Sequence, residues 1–393
     1  MPPQSDPRTP PPGLQSRLPR VGTNIFTVMS QLATEHGAVN MGQGFPDFDT
    51  PRPLVDALAR AMRDGHNQYA PAHGLPVLRE AIADKTLDCY GHRPDPDTEV
   101  TVTSGGSEAI LDAVMAVVHP GEEVILLDPC YDCYEPAIEM AGGTAVHVPL
   151  DPETFAPDWE KVRAAVTPRT RMLVINTPHN PSGAVLDADD IRQLESLLAD
   201  TGILLLSDEV YEHITYDGRR HESVLRHPAL RERAFVVSSF GKTYHCTGWK
   251  VGYCVAPSAL TAELRKVHQY NTFCTFTPAQ LAFAAMIREE PGHYRDLGAF
   301  YQPMRDRFRA QLEGTRFRPL PVHGGYFQLA DYSAVSDLDD AAFCRELAIE
   351  HGVAAIPLSP FYRTPPAGQR LVRLCFAKNQ STMDAAIERL EKL

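Results

Sequence analysis

Through the middle of the chain, short apolar runs alternate with longer stretches whose apolar positions recur at helical spacing. Residues 123–127, 145–148, 171–176, 203–207, 234–238 and 251–256 form the short runs, most of them followed by turn residues. Helical stretches such as 187–199 lie between several of them. Strand and helix in alternation predict an α/β domain whose mostly parallel sheet is covered on both faces. Ahead of it, residues 54–63 and 77–90 read as amphipathic helices. Behind it, residues 258–287 and 294–311 read as long helices. The tail changes character: runs at 326–330, 353–356 and 371–376 predict strands, packed with helices at 340–351 and 381–393, a smaller α+β domain.

Composition narrows the setting. A chain of 393 residues is too long for one simple core, so two domains are expected. A net charge of −13 argues for solubility and against a nucleic-acid footprint. No apolar run approaches the ~20 residues that span a bilayer, which argues against a membrane protein. Residues 1–13 hold six prolines and no apolar core of a signal peptide, so a Pro-rich extension over 1–20 is expected to be a disordered or extended lead-in. Eight scattered cysteines make no disulfide framework and fit reduced thiols in a cytoplasmic protein. Cys130-Tyr131-Asp132-Cys133 matches C-x-x-C, but with no second pair no metal or redox role is assigned to it.

Candidate chemistry gathers after the strands. Lys242 follows the run 234–237 within Ser238-Ser239-Phe240-Gly241-Lys242-Thr243, so a strand delivers an amine to a loop. A lone lysine there is ordinarily a solvated surface group. Upstream stand Asn180-Pro181-Ser182-Gly183 and Asp208-Glu209-Val210-Tyr211, and far downstream Arg373 lies in an apolar run. Asp208 closes a strongly apolar strand, and ligands of α/β sheets bind at that edge. A lone Asp would be a loop carboxylate; Tyr211 three residues on makes the pair notable. A guanidinium grips a carboxylate bidentately where a lysine cannot. Two lookalikes fail: a P-loop needs glycine where Val236 stands, and a dinucleotide fingerprint beginning at Gly42 needs glycine where Asp47 stands.

An amine, an asparagine, an Asp/Tyr pair and a late arginine are the parts that hold and use pyridoxal 5'-phosphate. In this order and setting the chain resembles the class I/II aminotransferases of fold type I, and within them the methionine and kynurenine/glutamine aminotransferase group. The resemblance runs from about Val21 to the C-terminus. It implies a large cofactor domain over 45–290 with a seven-stranded type of sheet, and a discontinuous small domain from 21–44 and 291–393. Lys242 becomes the cofactor-bonding and proton-moving lysine, and Asp208 the partner of the pyridine nitrogen. Tyr211 and Asn180 attend the ring oxygen. Ser239, Lys250, Gly106 and Ser107 grip the phosphate, the last two at a helix start, where backbone N–H groups favour anions. Tyr131 stacks on the ring, and Tyr69 reaches the phosphate of a neighbouring subunit, so a homodimer with shared active sites is implied. Arg373 takes the substrate α-carboxylate, with Asn180 and the backbone turn at Gly44 beside it; no residue is assigned to a metal.

The implied reaction moves an amino group from an L-amino acid to a 2-oxo acid by ping-pong kinetics. Its rival is β-elimination from cysteine S-conjugates or cystathionine, which begins with the same proton abstraction. A regulator that borrows such a domain would need a DNA-binding module, which twenty Pro-rich residues cannot form. No arginine occurs in 268–278, a segment expected to line the pocket from the partner subunit. Tyr270, Phe273, Phe276, Ile25, Phe26, Phe361 and Tyr362 instead predict an apolar wall. Methionine is the leading donor, with phenylalanine, tyrosine, leucine, glutamine, histidine and kynurenine as alternatives.

Overall fold

The computed structural model describes Gly13 and residues 15–393; most of the Pro-rich extension therefore lies outside the described residues. At the centre is a seven-stranded sheet. In spatial order its strands are Val100–Thr103, Gly252–Val255, Ala234–Ser239, Leu204–Asp208, Thr170–Asn176, Glu123–Asp128 and Thr144–Pro149. Gly252–Val255 runs antiparallel to both of its neighbours, and the remaining pairs are parallel.

Successive residues of these strands separate into two cores, as the period of two demands. Ile125, Leu127, Leu173, Ile175 and Val236 join one core, while Val124, Leu126, Met172, Val174 and Val237 join the other. Helices Gly106–Val117 and Tyr134–Ala141 cover the second core, and Pro76–Tyr90 and Ala188–Leu198 cover the first. With both faces covered the strands read as continuous apolar runs, which is why six of them were legible.

Several expectations need correction. Val100–Thr103, the antiparallel edge strand, was missed because its Val-Thr-Val-Thr alternation breaks the apolar run, although both threonines are buried. Helix Pro76–Tyr90 is not amphipathic: it buries Arg79 and Lys85 as well as Leu78 and Ile82. Lys85 survives there because its ammonium bonds Glu212 at 2.8 Å and Tyr253 at 2.7 Å. The expected helix over 258–287 is two, Ser258–Asn271 and Thr277–Glu289. Phe273 turns to a left-handed φ of 72° between them, and Pro278 stands in the first turn of the second helix, where its missing N–H costs nothing. Likewise Asp296 separates Pro291–Arg295 from Leu297–Glu313. The run 353–356 splits, so that Val353–Ala354 and Ile356–Pro357 enter different sheets.

The C-terminal part carries a four-stranded sheet in the order Ile356–Pro357, Leu371–Cys375, Phe327–Asp331, Arg318–Pro319. Its strand pairs are antiparallel. The early strand Val39–Asn40 pairs in parallel with Val353–Ala354, so a segment near the N-terminus is built into this end of the molecule. Arg373 occupies the middle of the second strand, opposite Leu329 and Ile356. No helix of the described residues is long and apolar enough to cross a membrane.

Candidate active site

Parallel register fixes one rim of the site. Asn176 stands opposite Asp208, and Asp208 opposite Val237, so these strands end side by side, with Ser239 closing the last of them. Beyond that rim lies a cavity of about 210 Å³. Asp208 and Tyr211 line it from one turn, Ser239 and Lys242 from the next, and Gly106 and Ser107 from a helix start. Tyr131, Asn180, Lys250, Gly44 and Arg373, all nominated by the sequence, line it as well.

The phosphate-type corner is built from close backbone packing. Gly105 has a φ of 80°, a conformation glycine adopts without strain, immediately before helix Gly106–Val117. Strand Gly252–Val255 passes beneath this turn so tightly that a Cβ on Gly252 would lie 2.9 Å from the Gly105 carbonyl carbon and 3.0 Å from the Gly106 nitrogen. Lys250 brings its amine to the same turn, 3.2 Å from where a Gly105 Cβ would stand. Helix-start N–H groups, two hydroxyls and an ammonium make an anion receptor.

Asp208 is buried at the other end of this corner. Burial pushes its pKa up to about 6, opposed by a 2.6 Å hydrogen bond from the Tyr134 hydroxyl and by the Val210 N–H at 3.2 Å. A cation placed against Asp208 would therefore find a carboxylate whose other bonds already favour the charged form. Lys242 sits not in an open loop, as expected, but in the single helical turn Phe240–Thr243. Its amine donates to the Gly44 carbonyl at 3.3 Å and lies 5.5 Å from the centre of the Tyr211 ring. Burial lowers its pKa to about 8, so the neutral amine, scarce for an ordinary lysine, reaches roughly a tenth of the population at pH 7.

Arg373 is 1 % exposed and clamped. It donates to Asn180 Oδ1 at 2.7 Å and to the Gly42 carbonyl at 2.9 Å, while Phe327 lies 3.9 Å from the guanidinium. Its Nε has no partner, and burial brings its pKa down to about 10. A buried guanidinium with an unused N–H is a built place for a carboxylate. Because Asn180 accepts through its oxygen, its amide NH₂ remains free to donate. Phe26 and Phe361 lie 4.9 and 5.4 Å from the same guanidinium and meet each other edge to face.

Not every nominated residue comes to this cavity. Tyr69 is 82 % exposed, its ring edge-on to Phe273 at 5.2 Å. Tyr270, Phe273 and Phe276 are also exposed, outside the cavity. Ile25 and Tyr362 line a neighbouring depression with Cys130. All eight cysteines are free thiols. Conversely, Tyr134, Asn176, Phe327 and Tyr326 were missed. Tyr134 had a faint signal, three residues beyond Tyr131 at a helix start. Asn176 positions Asn180 by accepting its N–H at 2.8 Å, a role visible only once the strand end turns back.

The family described as aminotransferase class I and II matches residues 37–390. The methionine aminotransferase of Escherichia coli (strain K12) is 54 % identical over 379 residues, covering 96 % of this chain and 98 % of that protein. A probable N-succinyldiaminopimelate aminotransferase of Mycobacterium tuberculosis is 42 % identical over 389 residues, covering 96 % and 98 %. Among solved structures, YbdL from Escherichia coli, whose reactivity identifies a methionine aminotransferase function, superposes with a TM-score of 0.94 at 54 % identity. That superposition covers 97 % of this chain and 99 % of the other.

Proposed function

The chain belongs to the class I and II aminotransferases, and we propose that it works as a cytoplasmic homodimer that uses pyridoxal 5'-phosphate. Its reaction moves the amino group of methionine, or of another amino acid with an apolar, sulfur-containing or aromatic side chain, to a 2-oxo acid. The observation that carries this reading is the convergence of Lys242, Asp208 and Arg373 on one small cavity from three remote parts of the sequence. The donor set fits the cofactor: an anion receptor at Gly106, Ser107, Ser239 and Lys250, and a buried carboxylate at Asp208. When bound, the cofactor supplies an aldehyde for amino groups and a ring that draws electrons from the substrate α-carbon.

The residues divide the remaining work. Arg373 and the Asn180 amide fix the α-carboxylate, which orients the α-hydrogen. Lys242, with its lowered pKa, takes the α-proton and returns it on the other side of the exchange. Asp208 holds positive charge at the ring nitrogen, and Tyr134 holds Asp208. Tyr211 and Asn180 serve the ring oxygen, Tyr131 packs on the ring, and Tyr69 is assigned to the second subunit's phosphate. The discontinuous small domain, 21–44 with 291–393, carries Arg373 and Phe26; pairing of Val39–Asn40 with Val353–Ala354 supports that division.

The side-chain preference rests on charge. Among the described residues, the cations lining the cavity are Lys242, Lys250 and Arg373, and each already has a task. A distal carboxylate, as in aspartate or a succinylated diamino acid, would face Phe26 and Phe327 unpaired. Each methylene buried there contributes ~0.8 kcal/mol in favour of an apolar side chain. The deciding experiment compares kcat/KM for methionine, aspartate and N-succinyldiaminopimelate with one fixed 2-oxo acid. Methionine is expected to lead; a clear preference for either acidic substrate refutes the assignment.

A further inference from the structure

Directly behind the anion-receptor turn lies a buried charged cluster that the reaction above does not use. His268, 1 % exposed on helix Ser258–Asn271, has two hydrogen-bond partners on opposite ring nitrogens. Nδ1 lies 2.6 Å from Glu108 Oε1, and Nε2 lies 2.6 Å from the Ala72 carbonyl oxygen. A carbonyl and a carboxylate only accept, so both nitrogens must carry protons and the ring is an imidazolium. Burial by itself would lower its pKa, but the Asp112 and Glu108 carboxylates outweigh that and hold it up to about 10. Asp112, fully buried one turn along, accepts from Asn271 at 2.8 Å, and its other oxygen, without a hydrogen bond, faces His268 Nδ1 at 3.6 Å.

The placement matters because of what Glu108 touches. It lies in the first turn of helix Gly106–Val117, and its second carboxylate oxygen accepts from the Ser104 N–H, at the head of the Ser104-Gly105-Gly106-Ser107 turn. An uncompensated anion there would repel a phosphate at the helix start. On its other side, His268 grips Ala72, in the stretch 67–72 that carries Tyr69; Thr277 holds the same stretch through the Gln68 carbonyl at 2.7 Å.

We propose that His268 is a positioning residue for cofactor retention: its imidazolium cancels the Glu108 carboxylate behind the phosphate-facing turn and ties that turn to the segment presenting Tyr69. The inference rests on the reading that this turn receives the cofactor phosphate. His73 and Cys254 are the other titratable groups that feel this cluster, and neither supplies a compensating cation: burial first, and the neighbouring arginines next, lower the His73 pKa to about 4, while Cys254 stays a thiol.

The test uses the full-length apoprotein and two ligands, pyridoxal 5'-phosphate and pyridoxal, which lacks the phosphate. In His268→Asn, affinity for the phosphorylated ligand should fall roughly 10- to 100-fold, the scale of a buried charge left unpaired, and affinity for pyridoxal far less. Glu108→Gln/His268→Asn should regain most of the loss, because the repelling carboxylate is gone. Equal losses for the two ligands, no loss, or a double variant no better than the single one overturns the proposal. Failure of the unaltered protein to bind the phosphorylated ligand through Lys242 would instead refute the cofactor reading beneath it. Should His268→Asn not fold, NMR of histidine-labelled protein remains: a ring still doubly protonated at pH 8.5 is expected, and its absence overturns the inference.

Discussion

The two ends of the cavity are built in opposite ways. The cofactor end is made from the ends of neighbouring strands, where Asn176, Asp208 and Ser239 are held in register by the sheet itself. The substrate end is assembled at long range. Arg373 meets Asn180 across 193 residues and Gly42 across 331, with Phe26 and Phe327 packed around it. A rim set by backbone ladders tolerates little movement, and suits groups that must stay aligned with one rigid ring. Side chains gathered from a separate sheet can be exchanged without disturbing that rim. Chemistry should therefore fail when the first end is altered, and selectivity or substrate affinity when the second is.

The largest effect is expected at Lys242. Lys242→Ala should abolish transamination, a loss beyond the ~10⁴-fold upper range for a single acid–base group, because the residue has two tasks. Borohydride reduction of the unaltered holoprotein should fix the cofactor on the peptide that contains Lys242. Label on any other lysine would remove it from the cofactor end.

Asp208→Asn comes next. An amide keeps the shape and the Tyr134 contact but supplies no charge. Some cofactor should remain bound while α-proton exchange slows on the order of 10³-fold, several kcal/mol in barrier. Near-normal exchange in that variant would mean that the buried carboxylate has only a structural task.

Legibility in the sequence follows the same division. Asp208 and Lys242 could be read because each sits within a few residues of a strand whose apolar run is unmistakable, and the Gly106–Ser107 helix start because a glycine pair precedes an apolar helical stretch. Their motifs are contiguous because the sheet places consecutive loop residues at one point. Tyr134 and Phe327 were not read, since nothing local says that a helix-start tyrosine points back to Asp208 or that a strand phenylalanine lies under Arg373. The helix break at 272–276 was missed for a related reason. Apolar spacing continues through it, and only the left-handed Phe273 and the proline after it show where the chain turns. Lys85 was misread because a buried ion pair with Glu212 looks, in one dimension, like a polar helix face.

At the substrate end, Arg373→Lys should leave cofactor binding intact. An ammonium cannot keep both the Asn180 and Gly42 bonds and also present a fork. Loss of one bidentate, charge-assisted contact should cost roughly 10²-fold in kcat/KM, mostly through KM. An equal fall in cofactor affinity would break the separation between the two ends.

The smallest effect should come from Tyr134→Phe, which alters no group assigned to touch substrate. Burial raises the Asp208 pKa to about 6, and the Tyr134 hydroxyl is one of the bonds that pull it back down. Without that hydroxyl the carboxyl must take up its proton at a higher pH than before. Above its pKa Asp208 is ionised and can pair with a cationic ring nitrogen; below it the pairing is lost. Cofactor affinity of the unaltered apoprotein should therefore weaken as pH falls through about 6, and in Tyr134→Phe the weakening should begin at higher pH. At pH 6 the variant should bind roughly tenfold more weakly, the scale of one hydrogen bond to a charged group, and the gap should narrow by pH 8. Titrating cofactor into both apoproteins across this range measures the shift directly. A gap that does not change with pH would assign Tyr134 to packing alone, and would leave Asp208 tuned by burial and its backbone contact.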